Sequence, residues 1–112
     1  MVNGHIKGIQ WGDFPPHCKF QLEDNNKEEI LPYPVTLQVW SMQKYLRPLL
    51  DGHCSRGIFA DGMTDIDIWA LRDGTFRIEV SPACHVNFEV VVDRSEIQKL
   101  YDGLMSYNTK TK

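Results

Sequence analysis

The 112-residue chain is 42% hydrophobic, which is enough apolar material for one core and leaves no length for a second domain. Twelve Lys and Arg against fifteen Asp and Glu give a formal net charge of −3, and no window interleaves basic and aromatic residues, so direct DNA or RNA binding is disfavoured. No stretch of about 18 apolar residues occurs, so we expect no membrane partner, no secretion and a cytoplasmic location.

The first half of the chain is predicted to contain three strands. Residues 5–11 and 19–22 have strand composition and flank Phe14-Pro15-Pro16, and the polar run 23–29 is typical of a solvated loop. Alternating apolar residues over 35–40 predict a half-buried strand that places Val35, Leu37 and Val39 on one face.

Two helices are predicted, one in the middle and one at the end of the chain. Ser41 is a natural N-cap for the first, Gly52 can provide its left-handed stop, and Pro48 is expected to bend it. Asp93 and Glu96 form a capping box for the second. The apolar stripe of the first helix comprises Met42, Tyr45, Leu46, Leu49 and Leu50, and that of the second Ile97, Leu100, Tyr101, Leu104 and Met105.

A hairpin is predicted between the helices, from 66–72 and 75–80 joined by a two-residue Asp73-Gly74 turn. That turn places Asp67 opposite Val80 and Trp69 opposite Ile78, with Trp69 in the core, and Glu79 on the other face. With further strands over 57–60 and 86–92, the order predicts an α+β fold: a mostly antiparallel sheet of about five to seven short strands packed by two helices. We expect one domain over 1–107 and a disordered polar tail over 108–112.

Each cysteine has a histidine beside it, as His17-Cys18, His53-Cys54 and Cys84-His85. Adjacent residues on an extended segment point to opposite faces, and zinc ligands are usually two to four residues apart, so we predict no metal and no cofactor. No nucleophile elbow, phosphate-binding glycine loop or metalloprotease helix is present, so the sequence predicts no enzyme activity. A small Cys/His metal-dependent protein or enzyme remains an alternative.

Carboxylates around the hairpin are the predicted partner-binding site. Asp61, Asp65 and Asp67 lie close together, with Glu79 and Glu89 on nearby strands, and they can stay hydrated until a basic partner arrives. Trp40 is out of phase with the apolar residues of its strand, so we expect a partly exposed anchor in the same interface.

Residues 31–80 resemble bacterial immunity proteins of contact-dependent growth inhibition systems. The similarity lies in Leu31-Pro32, the strand end Val39-Trp40-Ser41, a helix with Tyr45, the strand Gly57-Ile58-Phe59-Ala60, and the hairpin from Ile68-Trp69-Ala70-Leu71 to Phe76-Arg77-Ile78-Glu79. The resemblance implies an immunity (antitoxin) protein that neutralises a cognate toxin domain, commonly a nuclease, in the cytoplasm. A non-toxin adaptor or chaperone is a further alternative.

Overall fold

The computed structural model describes residues 2–26, 34–61, 64–82 and 87–110, which form seven strands and two helices. The elements are β1 Val2–Asp13, β2 Pro16–Asp24, β3 Val35–Gln38, α1 Val39–Leu50, β4 Arg56–Asp61, β5 Thr64–Ala70, β6 Phe76–Pro82, β7 Phe88–Val92 and α2 Arg94–Lys110. One sheet has the order β3-β2-β1-β7-β6-β5-β4. The predicted α+β class is confirmed.

The sheet has one covered face and one open face. β1 and β7 run parallel and the other neighbouring pairs run antiparallel. Side chains alternate along each strand, and those of one parity join the buried faces of α1 and α2 in a single core. In the described ranges, no helix lies on the opposite face, which we call the open face. Neither of the two described helices is long and apolar enough to cross a membrane.

The hairpin of β5 and β6 is one residue out of the predicted register. Its turn has three residues, Arg72-Asp73-Gly74, with the Leu71 N–H donating to the Thr75 carbonyl at 2.9 Å and Gly74 at φ 90°. Asp73 stabilises the turn, because its carboxylate accepts hydrogen bonds from the hydroxyl and the backbone N–H of Thr75. These hydrogen bonds lower the pKa of Asp73.

The register change exchanges the two faces of β5, whereas the faces of β6 are as predicted. Ile68 pairs with Ile78 and both are fully buried, whereas Trp69 pairs with Arg77 on the open face. The prediction that Trp69 belongs to the core is therefore wrong. Asp67 pairs with Glu79 rather than with Val80, so the two carboxylates share a face.

The first half of the chain departs from prediction at its element boundaries. β1 and β2 are longer than predicted, and Glu23, assigned to a solvated loop, is a strand residue only 6% exposed. Its carboxylate bonds His5 at 3.1 Å and Lys7 at 3.2 Å. The Lys7 hydrogen bond is the main reason that the pKa of Glu23 lies below its ordinary value.

Helix α1 begins earlier than predicted, with Gln38 at the N-cap position and no side-chain cap hydrogen bond. Ser41 is consequently buried inside the helix instead of capping it. Pro48 lies in the last turn, where its missing N–H affects only the bond to the Lys44 carbonyl, so the helix continues unsplit to Leu50. Gly52 adopts a φ of 77°, as the predicted left-handed stop requires.

Helix α2 is tied to β1 by its first turns. The Glu96 carboxylate accepts from the backbone N–H of Ile6 at 2.7 Å, while Lys99 donates to the Ile6 carbonyl at 3.0 Å and contacts Glu96 at 2.9 Å. We call these contacts the Glu96–Lys99 clamp. The Glu96 side chain, predicted to complete a capping box with Asp93, thus accepts its hydrogen bond from β1. Met105, assigned to the buried stripe, is 43% exposed, and the helix continues to Lys110, past the predicted boundary at 107.

The register of the hairpin predicts which of two substitutions lowers the free energy of unfolding more. Ile68→Ala should lower the free energy of unfolding by about 2–5 kcal/mol, because it removes buried methyl and methylene groups. Trp69→Ala should lower it by only about 1–2 kcal/mol, since the partly buried indole lies on the open face and loses mainly two contacts with guanidinium groups. Urea unfolding followed by circular dichroism measures both. The reverse order would support the two-residue turn.

The Glu23 contacts predict a pH-dependent loss of stability. The folded-state pKa of Glu23 is depressed, so its contribution is present at neutral pH and is lost as the pH falls through the folded pKa, below the ordinary value of 4.5. Glu23→Gln should therefore be less stable than the wild type near neutral pH, and the difference should shrink toward about pH 3. Glu89→Gln, at an exposed carboxylate, is the control. A difference that stays constant with pH would exclude this role.

Candidate nucleic-acid interface

The strand registers align side chains in rows across the open face. One row runs through Arg56, Trp69, Arg77, Val91 and Asn3, on β4, β5, β6, β7 and β1 in turn. Asn25 continues it, because the backbone N–H of Asn25 donates to the Asn3 carbonyl at 3.2 Å. We call this the central row. It contains no carboxylate.

Trp69 lies between two guanidinium groups at the β4–β6 end of the central row. The Cζ atom of Arg56 is 4.6 Å from the centroid of the indole ring and that of Arg77 is 5.2 Å away. A guanidinium at this distance is attracted by the ring quadrupole, and its planar shape can stack on the ring. We call Arg56, Trp69 and Arg77 the arginine–tryptophan platform.

Two donors of the platform lie buried without an acceptor. Within the described residues, Trp69 Nε1 and Arg77 Nε have no hydrogen-bond partner. Buried donors are normally satisfied by protein, water or ligand, because leaving one unmade costs about 1–3 kcal/mol. The platform therefore contains two buried donors that no described acceptor satisfies.

The predicted carboxylates form a second row two residues along the strands, about 7 Å from the central row. Ile58, Asp67, Glu79 and Glu89 are aligned there, and we call the three carboxylates the acidic row. Asp67 contacts Arg56 at 3.3 Å and Glu79 contacts Arg77 at 3.9 Å. These carboxylates hold the two arginines in place.

The remaining predicted site residues lie in different settings. Asp65 is exposed on the open face and pairs with Ser81, and the backbone of Asp61 pairs with Thr64. Trp40 is 61% exposed, which agrees with the prediction of a partly exposed residue, but it lies in the first turn of α1 and not at the end of a strand. The acidic row and Trp40 thus belong to separate parts of the surface.

A polar cavity of about 310 Å³ lies at the other end of the central row. Asn3 and Val91 of the row line it together with Asn25, Thr75 and Asp93. Side-chain amides carry both donors and acceptors, so this cavity can make hydrogen bonds with a planar polar group such as the edge of a base.

The cysteine and histidine pairs are not brought together in the described ranges. Cys18 is fully buried while His17 pairs with Gly12 on the opposite parity, and Cys84-His85 lies outside the described residues. Burial raises the pKa of the Cys18 thiol to about 12, which disfavours the thiolate that metals and nucleophilic catalysis require. No group of three His, Cys, Asp or Glu side chains among the described residues could hold a metal ion.

Sequence reasoning missed Arg56 and Arg77. Three separate strands supply the platform, so no basic and aromatic window exists in the sequence. The signal was the apolar alternation itself: Ile66, Ile68 and Ala70 match Val80, Ile78 and Phe76 only in the observed register, which puts Arg77 beside Trp69.

Comparisons with known proteins define the fold. No family model and no curated protein matches the sequence. The structure is similar to the MRP1/MRP2 proteins of Trypanosoma brucei, with a TM-score of 0.57 and 17% identity over 97% of this chain and 87% of that one. It is also similar to a guide-RNA-binding protein complex solved with a guide RNA, with a TM-score of 0.58 and 16% identity over 97% and 93% of the two chains.

These neighbours contradict the function predicted from the sequence. The prediction was an immunity protein that binds a toxin domain and no nucleic acid, whereas the chains that share its fold include a guide-RNA-binding complex. The resemblance to immunity proteins of contact-dependent growth inhibition systems stays an untested prediction. At this level of identity the similarity establishes that the chain has the fold of these proteins.

Proposed function

We propose that this protein binds single-stranded RNA across the central row of its open face. The observation that carries the proposal is Trp69 held between the guanidinium groups of Arg56 and Arg77. A partly buried indole with adjacent guanidinium groups on an open sheet face offers ring and guanidinium planes on which an unpaired base can stack, because every base has a π-face.

The platform offers stacking and charge at the same place. Stacking of a base on an aromatic side chain contributes about 1–3 kcal/mol, and each arginine can also pair with a phosphate. A phosphate oxygen would meet the exposed parts of the Arg56 and Arg77 side chains, which are 45% and 27% exposed. RNA thus satisfies both properties of this surface.

The two rows together define a path for the strand. Glu79 and Glu89 repel phosphates from one side, so the RNA backbone is expected to follow the central row itself, from the platform toward Asn3 and Asn25. The cavity beside these two residues can accommodate the edge of a base. Charge thus selects a path and stacking provides most of the affinity.

Two further considerations support RNA as the ligand. A structure with this fold was solved with a guide RNA bound, although the ligand was observed for that complex and not for this chain. Single-stranded RNA is also available in the cytoplasm, where we expect this protein to act.

The salt dependence of binding should be weak. With two arginines as phosphate contacts, a plot of the logarithm of the binding constant against the logarithm of the salt concentration should have a slope of only about −1.4.

Replacing Trp69 tests the proposal directly. Trp69→Ala should weaken binding of fluorescein-labelled oligouridine by about 1–3 kcal/mol, or roughly five- to 150-fold, because the stacking surface is lost. Fluorescence anisotropy measures the affinity, and Trp40→Ala is the matched control because its indole is exposed elsewhere. Equal affinities of the Trp69→Ala and wild-type proteins, both folded by circular dichroism, would refute the proposal.

Reversing one charge of the acidic row tests the path. Glu89→Lys removes a carboxylate that repels phosphate and adds a cation, so it should tighten oligouridine binding and steepen the salt slope by about 0.7. Glu89→Gln should give a smaller gain without the change in slope. Weaker binding by Glu89→Lys would mean that the RNA backbone does not pass beside the acidic row.

A further inference from the structure

A groove lies between the β1–β2 turn, the start of α1 and the end of α2, and we call it the Trp40 groove. Its volume is about 520 Å³, and its walls include Pro15, Pro16, Trp40 and Tyr107. The Trp40 indole is 61% exposed and Phe14, next to Pro15, is 97% exposed. Large apolar side chains left this exposed around a concave surface are typical of a contact site.

One wall of the groove is fixed in position before any ligand arrives. The Tyr107 ring stacks on Trp11 with a centroid distance of 5.2 Å and an interplanar angle of 20°. Its hydroxyl donates to Asp13 Oδ1 at 2.7 Å, and this hydrogen bond raises the pKa of Tyr107. A wall that is already ordered loses little conformational entropy on binding.

The polar groups of the groove are side-chain amides and one carboxylate. Gln38, Gln43 and Asn108 contribute amides, and Gln43 Nε2 donates to Asn108 Oδ1 at 3.2 Å. Among the described lining residues, Asp13 carries the only formal charge. A negative charge among apolar rings disfavours phosphate and favours a cation, so this groove does not extend the RNA surface.

We infer that the Trp40 groove binds a proline-containing segment of a partner protein in the polyproline II conformation, with an arginine or lysine of that segment at Asp13. Pyrrolidine rings pack flat against indole and phenol rings, as they do in other aromatic grooves that recognise proline-rich segments. The polyproline II backbone makes no internal hydrogen bonds, so its carbonyl groups can accept from amide donors such as Gln43. Asp13 then supplies charge complementarity to the basic residue.

The test uses the whole chain and two synthetic probes, decaproline and a decaproline that carries one terminal arginine. Both probes should shift the indole N–H signal of Trp40 in heteronuclear NMR titrations, while the Trp69 signal stays unchanged. The arginine peptide should bind about two- to fivefold more tightly, as expected for a partly exposed ion pair.

Three variants assign the contacts. Trp40→Ala should weaken binding of both peptides at least about tenfold, whereas Trp69→Ala, the matched control, should bind them as the wild type does. Asp13→Asn keeps an acceptor for the Tyr107 hydroxyl but removes the charge, so the two peptides should then bind equally. These results do not depend on RNA binding, because the RNA assay responds to Trp69 and the peptide assay to Trp40.

Several outcomes would overturn the inference. The groove is not a proline site if neither peptide shifts Trp40 at about 1 mM, or if folded Trp40→Ala binds the peptides unchanged. Binding of arginine amide as tight as that of the arginine peptide would indicate a site for small amines. Shifts of Trp40 by oligouridine without shifts by either peptide would assign the groove to nucleic acid.

Discussion

The hydrogen bonds that Thr75 donates to the Asp73 carboxylate hold the three-residue turn, and the register of β5 on β6 depends on that turn. A strand displaced by one residue would exchange its two faces, so the turn decides whether Ile68 or Trp69 enters the core. With Ile68 inside, Trp69 meets Arg56 and Arg77 on the open face. The separate register of β6 on β7 places Glu79 beside Glu89. The turn therefore decides which residues of β5 join the two rows of the open face.

The open face separates two electrostatic roles that overall charge conceals. A net charge of −3 suggests poor attraction for phosphate, and nucleic-acid binding driven by charge alone would need many more cations. Three carboxylates of the open face, however, are aligned in one row, and two of them contact the arginines of the platform. If RNA binds this face as proposed, shape and stacking would carry recognition and charge would mainly exclude incorrect orientations. Net charge describes solubility and association rate better than it describes a binding site.

Much of the fold followed from the sequence, and the errors have local causes. Alternation and helical spacing identified the two helices and the α+β class, because those patterns report burial directly. Asp73-Gly74 fits two hairpin turns that differ by one residue, and the shorter one put Trp69 inside. Glu23 was assigned to a loop since its partners, His5 and Lys7, lie on another strand. Arg56, Trp69 and Arg77 come from three strands, so the platform exists only once the strand registers are known.

The Glu96–Lys99 clamp strengthens the connection between two parts of the sheet, β1–β3 and β4–β7. Two residue pairs, Val2 with Val90 and Asn3 with Val91, join β1 to β7 in parallel. So short a pairing offers little resistance to sliding of β1 along β7. The clamp makes hydrogen bonds with both the N–H and the carbonyl of Ile6, just beyond these pairs. It thereby connects β1 to the helix that directly follows β7. α2 thus connects the β1–β3 part of the sheet to the β4–β7 part across this short pairing. A displacement of its C-terminal end would therefore change the angle between these two parts.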